Sequence, residues 1–102
     1  MIVDTRSMFE LRKTSEFNAW FDGLRDERAQ ATITKRLIRA ELGHLGDAKF
    51  FDGIGELRID YGPGYRLYFT RHEKVIVILL CGGDKSTQKR DIQKARKLAE
   101  TL

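Results

Sequence analysis

Cysteine and histidine are scarce in this chain: Cys81 stands alone, and His44 and His72 are the only histidines. A lone cysteine excludes an internal disulfide, and so few soft donors leave little from which to build a zinc site. A reducing, cytoplasmic setting is the expectation. No apolar run approaches membrane-spanning length. The longest, Val75 to Cys81, is far shorter than the roughly 20 residues a bilayer helix needs. The opening MIVDTRSMFELRK lacks the basic-then-apolar pattern of a secretory signal. Proline occurs once, at Pro63, and no stretch is repeated, Pro/Ser-rich or low in complexity. Without a linker, one domain over residues 1–102 is expected.

What the chain does have is the composition of a folded domain: 102 residues, 41% hydrophobic and 33% charged. The net charge is +4. Up to Phe51 there are 9 basic and 8 acidic residues, and beyond it 10 and 7, so most of the excess lies in the second half. A basic balance favours an anionic partner, nucleic acid first.

MFELRKT (8–14) reads as a first strand, with IVD (2–4) as its possible beginning, and Ser15 as an N-cap. Phe17, Trp20, Phe21 and Leu24 follow at i, i+3, i+4 and i+7, the apolar stripe of an amphipathic helix. That spacing places Trp20 in the core rather than on a base-stacking platform. A second helix runs from Asp26 with Ala29, Ile33, Leu37 and Ala40 on one face and Gly43 at its end, forming an antiparallel hairpin with the first. GHLGDAKFFDGIG (43–55) is glycine-rich and aperiodic, hence a loop. Leu57, Ile59 and Tyr61 alternate with charged residues as in a half-buried strand, YGPG turns the chain, and YRLYFTR is the next strand. After a turn at His72–Glu73, KVIVILLCG is apolar on both faces, as expected of a central strand covered on both sides. GGDK breaks that pattern. A last helix begins near Ser86 or Thr87, with Ile92, Ala95, Ala99 and Leu102 on one face. The order is β-α-α-β-β-β-α, an α+β fold with a twisted, mainly antiparallel sheet packed against the helical hairpin and the last helix.

The chemistry concentrates in GELRIDYGPGYRLYF (55–69). Glu56, Arg58 and Asp60 share one strand face, as do Arg66, Tyr68 and Thr70 on the next. If the apolar sets point into one core, Arg58 and Arg66 meet on the other face. This demands a turn with an odd number of residues, such as Tyr61-Gly62-Pro63. Like charges facing across strands repel, so the pair needs an explanation. Either Glu56 and Asp60 neutralise the arginines in a solvated network, or the two guanidinium groups form a fork for a phosphate.

GGDKSTQKRDI (82–92) is the second element. It is not a phosphate-binding loop of the G-x-x-x-x-G-K-[ST] type, since Asp84 and Leu79 stand where that pattern needs glycine. GIGELR fails the dinucleotide pattern, with Arg58 in place of its third glycine. In GGDKSTQKRDI, however, Lys85, Ser86, Lys89 and Arg90 gather at a helix start. Cations are electrostatically misplaced there unless an anion sits between them. Ordinary capping by Ser86 or Thr87 is the simpler alternative. Cys81 reads as a small buried hydrophobe, and His44 and His72 as surface loop residues.

ELRIDYGPGYRLYF, LLCGGDKSTQKRDI and KARKLA together resemble the RelE/ParE superfamily of type II toxins, nearest to the HigB-like, phage Gp49-like group of addiction module killer proteins. The resemblance covers nearly the whole chain. It implies a RelE-like fold, no cofactor or metal, and cleavage of mRNA in the ribosomal A site, or, as in the ParE branch, poisoning of DNA gyrase. A degenerate toxin kept as a partner-binding module is a third possibility. The implied partners are a helix-turn-helix antitoxin, the ribosome and mRNA, with no membrane. Carried over by position, Arg58, Arg66 and Lys85 resemble the basic residues around the scissile phosphate. Asp60 stands where a further basic residue is the pattern and Asp91 where a tyrosine is, which leaves these two as candidates for the general base. Arg58, Arg66, Tyr68, Lys85, Ser86, Lys89 and Arg90 make up the implied RNA-binding set.

Overall fold

Alternating apolar residues on two successive strands and an unbroken apolar run on the next build a sheet whose two faces are both used. The computed structural model describes residues 8–102. Its elements are β1 (Glu10–Lys13), α1 (Ser15–Asp22), α2 (Glu27–Glu41), β2 (Ala48–Phe50), β3 (Gly55–Ile59), β4 (Tyr65–His72), β5 (Ile76–Asp84), a 3-10 turn (Lys85–Thr87) and α3 (Gln88–Glu100). The sheet order is β1-β5-β4-β3-β2, antiparallel except where β1 runs parallel to β5.

The expected order holds with one addition, β2, which lies within the segment 43–55 read as a loop. Its three residues pair with β3, Lys49 opposite Glu56 and Phe50 opposite Gly55. A strand this short has no periodicity of its own and exists only through its partner. The first strand is shorter than the expected 8–14: it begins only at Glu10, and after Lys13 the Thr14 side chain turns to cap α1 while its N–H still donates to the Leu79 carbonyl at 3.0 Å. Thr14 Oγ1 accepts from the Phe17 N–H at 3.0 Å and donates to the Leu80 carbonyl at 2.6 Å. Ser15, expected as the cap, is the first helical residue. Any strand start at Ile2–Asp4 lies outside the described residues. Asp26 caps α2 by accepting from the N–H groups of Arg28 and Ala29, and Gly43 takes a φ of +92° just past its end.

Helices α1 and α2 cover one sheet face, burying Phe17, Ala29, Ile33 and Leu37 against Leu57, Ile59, Leu67, Phe69, Val77 and Leu79. Trp20 packs here, as its spacing predicted, its ring 5.7 Å from Phe17 and 6.1 Å from Tyr65. On the opposite face α3 sets Ala95 among Ile54, Tyr68, Ile78, Leu80 and Cys81. Leu102, expected on that helix face, is instead 52% exposed beyond the helix end.

Strand β5 is covered on both sides, as its continuous apolar run implies, but it lies second from the edge, with β4 at the centre, because the short β1 is the only strand beyond it. It also carries a bulge: Tyr68 is opposite Cys81 and Phe69 opposite Leu79, so Leu80 has no partner in the ladder. Leu80 and Cys81 consequently both face α3. After this change of phase, Gly82 turns toward Trp20 and Gly83 toward Asp91. The two glycines therefore do not break the strand. They stay paired, with Leu67 and Arg66, and are glycine because a Cβ at either position would collide with Trp20 of α1 or with Asp91 of α3.

Candidate nucleic-acid interface

Pairing of β3 with β4 sets Arg58 directly opposite Arg66. Five residues separate the paired Ile59 and Tyr65, so the connection is odd, as the alternation demanded. The turn closes with the Gly64 N–H donating to the Tyr61 carbonyl at 3.1 Å. It is anchored by Tyr61 Oη, which donates to the α2 cap Asp26 at 3.0 Å. Gly62 and Gly64 take φ of +56° and +79°, values that only glycine adopts freely. A side chain at Gly64 would lie 3.5 Å from Lys85 Cβ and 3.7 Å from Arg66 Nη1, so the turn brings these two cations to its edge.

Lys85 is exposed where β5 gives way to the 3-10 turn. Asp84, not Ser86 or Thr87, caps this turn. Its carboxylate accepts from the Ser86 N–H at 2.8 Å and from the Ser86 hydroxyl, while its own N–H donates to Thr87 Oγ1 at 3.3 Å. The Ser86 hydroxyl and backbone bonds hold the Asp84 carboxyl below its ordinary range, against the opposing effect of partial burial. The result is a cleft of about 400 Å³ lined by Asp47, Arg58, Ile59, Asp60, Gly64, Arg66 and Lys85. That volume lies within the range of about 300–1,000 Å³ usual for small-ligand sites.

Arg58 is shared with a carboxylate that sequence reading did not single out. Its Nη2 donates to Asp47 Oδ1 at 2.8 Å and its Nε to the same oxygen at 3.2 Å. The side chains are 39% and 60% exposed, so the pair contributes little stability, about 0–1 kcal/mol, and leaves Arg58 available to an anion. Asp47 is held by Arg36 of α2. The Arg36 guanidinium donates to the carbonyls of Leu45, Asp47 and Arg58 at 3.0, 2.7 and 2.7 Å. Burial, with Arg39 nearby, pulls its pKa below the ordinary arginine value, partly offset by Asp47. Gly46 is required beneath it, with φ of +71° and space for a Cβ only 2.9 Å from Arg36 Nε. Replacing Arg36 by alanine leaves three carbonyls without this charged donor. The expected cost is about 2 kcal/mol, or a fall of roughly 8–16 °C in the melting temperature, measurable by calorimetry. An unchanged melting temperature would show that water replaces the staple without loss.

The face bearing the two arginines is less open than the alternation implied. Glu56 is fully buried beneath α3 and accepts from Tyr68 Oη at 3.2 Å and from Gln88 Nε2 at 2.8 Å. The solvated network of Glu56 and Asp60 around the arginines is thus not what forms. Asp60 is exposed in the cleft, while Arg58 turns to Asp47. Arg66, 14% exposed, has its Nε 3.5 Å from Glu56 Oε1.

Two implied site residues are placed elsewhere. Tyr68 has no exposed surface, because α3 closes over it, and so it offers no face to RNA. Burial, followed by the neighbouring Glu56, raises its pKa and keeps the phenol a donor. Asp91 is 5% exposed and does not line the cleft. It accepts from Thr87 Oγ1 and packs over Gly83, anchoring the first turn of α3. Ser86, Lys89 and Arg90 border a neighbouring depression of about 360 Å³ together with Thr87 and Gln93. On the other flank, Lys35, Arg36, Arg39 and Thr32 of α2 line a depression of about 380 Å³ that shares Ile59 and Asp60 with the cleft. Sequence reading missed this flank. Its signal was the Lys35/Arg39 spacing opposite the apolar stripe of α2, which any solvated helix face would also give.

Cys81 is buried, and burial first, then Asp91, pushes its thiol up to about 12, so it has no thiolate with which to attack. His44 and His72 are exposed. Among the described residues no three His, Cys, Asp or Glu side chains gather as a metal ion would need, and no helix is long and apolar enough to cross a membrane.

Comparison with known proteins shows the fold and the family. An uncharacterised protein of Haemophilus influenzae is 49% identical over 94 residues, covering 91% of this chain and 95% of that one. The solved structure of a double arginine-to-alanine mutant of the E. coli toxin RelE in its free state superposes with a TM-score of 0.70. It is 16% identical and covers 88% of this chain and 96% of that one. The fold is therefore RelE-like. Residues 19–101 match the family model described as phage-derived protein Gp49-like, and the chain belongs to that family.

Proposed function

We propose that this protein is the toxin of a type II toxin–antitoxin pair and that it inhibits translation by cutting mRNA on the ribosome. The observation that carries this reading is the convergence of Arg58, Arg66 and Lys85, from three separate segments, on one cleft that also holds Asp60. The RelE-like fold and the Gp49-like family support the toxin class.

The chemistry follows from the groups present. Arg66 and Arg58 hold a backbone phosphate and offset its growing charge. The neighbouring ribose 2′-oxygen attacks phosphorus as its proton passes to Asp60. The new O2′–P bond forms as the P–O5′ bond breaks, and Lys85 supplies a proton to the departing 5′-oxygen. The products are a 2′,3′-cyclic phosphate and a 5′-hydroxyl. Little in the cleft orients the ribose itself, so the ribosome supplies that alignment and free RNA is a poor substrate. The partner in the pair is an antitoxin that covers this basic surface until toxicity is required.

Induction without antitoxin, followed by mapping of RNA 5′ ends and by labelling of new protein and new DNA, tests the reading. Discrete cleavage within translated mRNA, with protein synthesis failing first, is the expected result. Failure of DNA synthesis first, with mRNA intact, would replace the nuclease with a gyrase poison. Arrest of neither would leave a partner-binding module.

A further inference from the structure

The Arg66 guanidinium has two edges in different surroundings. Its Nη edge lies at the cleft beside Gly64, with Nη1 3.5 Å from the Tyr65 carbonyl. Its Nε edge points inward to a carboxylate with no exposure at all, that of Glu56. Burying a carboxylate is costly unless it is paired, and apolar replacements of buried ion pairs are often as stable or more so. Glu56 nonetheless stands fully buried on the sheet face that α3 covers, directly opposite Tyr68 of that apolar layer. Its Oε1 is the common acceptor for Tyr68 Oη and Gln88 Nε2 and lies within ion-pairing reach of Arg66 Nε. Glu56 Oε2 and Arg66 Nε have no hydrogen-bond partner among the described residues. One buried oxygen therefore joins the inner edge of Arg66 to the first residue of α3, directly after the turn that carries Lys85.

We infer that Glu56 is a positioning residue: buried beneath α3, it holds the Nε edge of Arg66 and ties it through Gln88 to the turn bearing Lys85, so fixing the spacing of the two cations. This rests on the reading of the cleft as a phosphate-handling site. Glu56 touches no substrate. It acts through Arg66, aiming the Nη edge outward while α3 keeps Lys85 opposite. Tyr68 and Gln88 hold the carboxylate so that it does not follow Arg66 toward the cleft.

The test uses full-length protein carrying Glu56→Gln, which retains an acceptor for Tyr68 and Gln88 but loses the charge, and Glu56→Met, which packs without either. Each is made alone and with Arg66→Ala. Two readouts are taken: single-turnover cleavage of mRNA on programmed ribosomes, and the Nε–Hε resonance of Arg66 in ¹⁵N-labelled protein. The expected result is a shifted, faster-exchanging Arg66 resonance in both single variants. With it comes a loss of about 100-fold in the rate at saturation, the size expected when a reacting group is misplaced by about 1 Å. Apparent ribosome affinity changes by less than about threefold, since uniform binding is untouched. In the Arg66→Ala background the Glu56 substitutions cause no further loss of rate. An unmoved Arg66 resonance in both variants would overturn the inference, as would the same fold-loss with and without Arg66. If Arg66→Ala itself cleaves like the wild type, the nuclease reading fails. The resonance then decides alone whether Glu56 holds Arg66.

Discussion

Replacing Arg66 by alanine lowers single-turnover cleavage of ribosome-bound mRNA by about 10²–10³-fold, the usual cost of removing one preorganised group facing developing charge. Lys85→Ala costs about 10²-fold or more, in the range of general-acid contributions. Arg66→Lys rescues poorly, because an ammonium cannot reproduce the planar fork that lets Arg66 face Glu56 with one edge and the cleft with another. Arg58→Ala has a smaller effect, since Arg58 is more exposed and already divided between Asp47 and the cleft. In cells, antitoxin-free expression of Arg66→Ala and Lys85→Ala at levels matched to the wild type is expected to leave growth largely unarrested. Full arrest by both would remove the cleft from the mechanism. The stability of Lys85→Ala should stay close to the wild type, because Lys85 is exposed. Arg66→Ala, by contrast, leaves the buried Glu56 carboxylate without its cation and should lower the melting temperature, so its activity is compared at matched amounts of folded protein.

The second large effect falls on folding. A Cβ at Gly83 would sit 1.8 Å from Asp91 Oδ2 and 2.9 Å from Thr87 Oγ1, and one at Gly82 would sit 2.2 Å from Trp20 Cε3. Trp20 packs against Phe17 and Tyr65, so moving its ring away from Gly82 sacrifices those aromatic contacts. Gly82→Ala therefore forces α1 off the sheet and Gly83→Ala pushes back the first turn of α3. Overpacking of this kind costs about 3 kcal/mol, a large share of a total that is about 5–15 kcal/mol for an ordinary domain. For a chain of this length the melting temperature falls by roughly 12–24 °C. Thermal unfolding followed by circular dichroism measures it. A shift of only a degree or two in either variant would mean that the helices dock less tightly than the distances imply. Gly83→Ala carries a second consequence: by moving α3 it displaces Gln88 from Glu56, and should reduce cleavage even where the protein still folds.

Much of the site was legible because strand chemistry is local. Alternation in 55–61 and 65–69 fixed which residues share a face. An odd turn then left no choice but to bring Arg58 opposite Arg66. Lys85 followed from its place just past an apolar strand. The partners of these cations were not legible in the same way. Asp47 reaches Arg58 only because β2 pairs with β3 and Arg36 crosses from α2 to hold the intervening loop. Tyr68 and Asp91 carry side chains suited to a site, yet both lie beneath or within α3, a matter of which sheet face that helix covers. Gly82 and Gly83 read as the end of a strand, since a glycine pair gives the same signal whether the chain turns or a helix comes close. The bulge at Leu80, which decides which glycine faces which helix, has no signature within an unbroken apolar run.

By itself the sequence determined the elements other than β2, the coverage of β5 on both faces, the shared face of the two arginines and the basic character of the region after them. Each depends on residues near one another along the chain, where spacing and charge act directly. Only the tertiary structure decided that Glu56 is buried and not solvated, that Asp47 and not Asp60 pairs with Arg58, and that Lys85 alone of its basic segment borders the arginine cleft. Those outcomes depend on contacts between segments remote in sequence. There the burial of a charge is set by what packs over it and not by its neighbours in the chain.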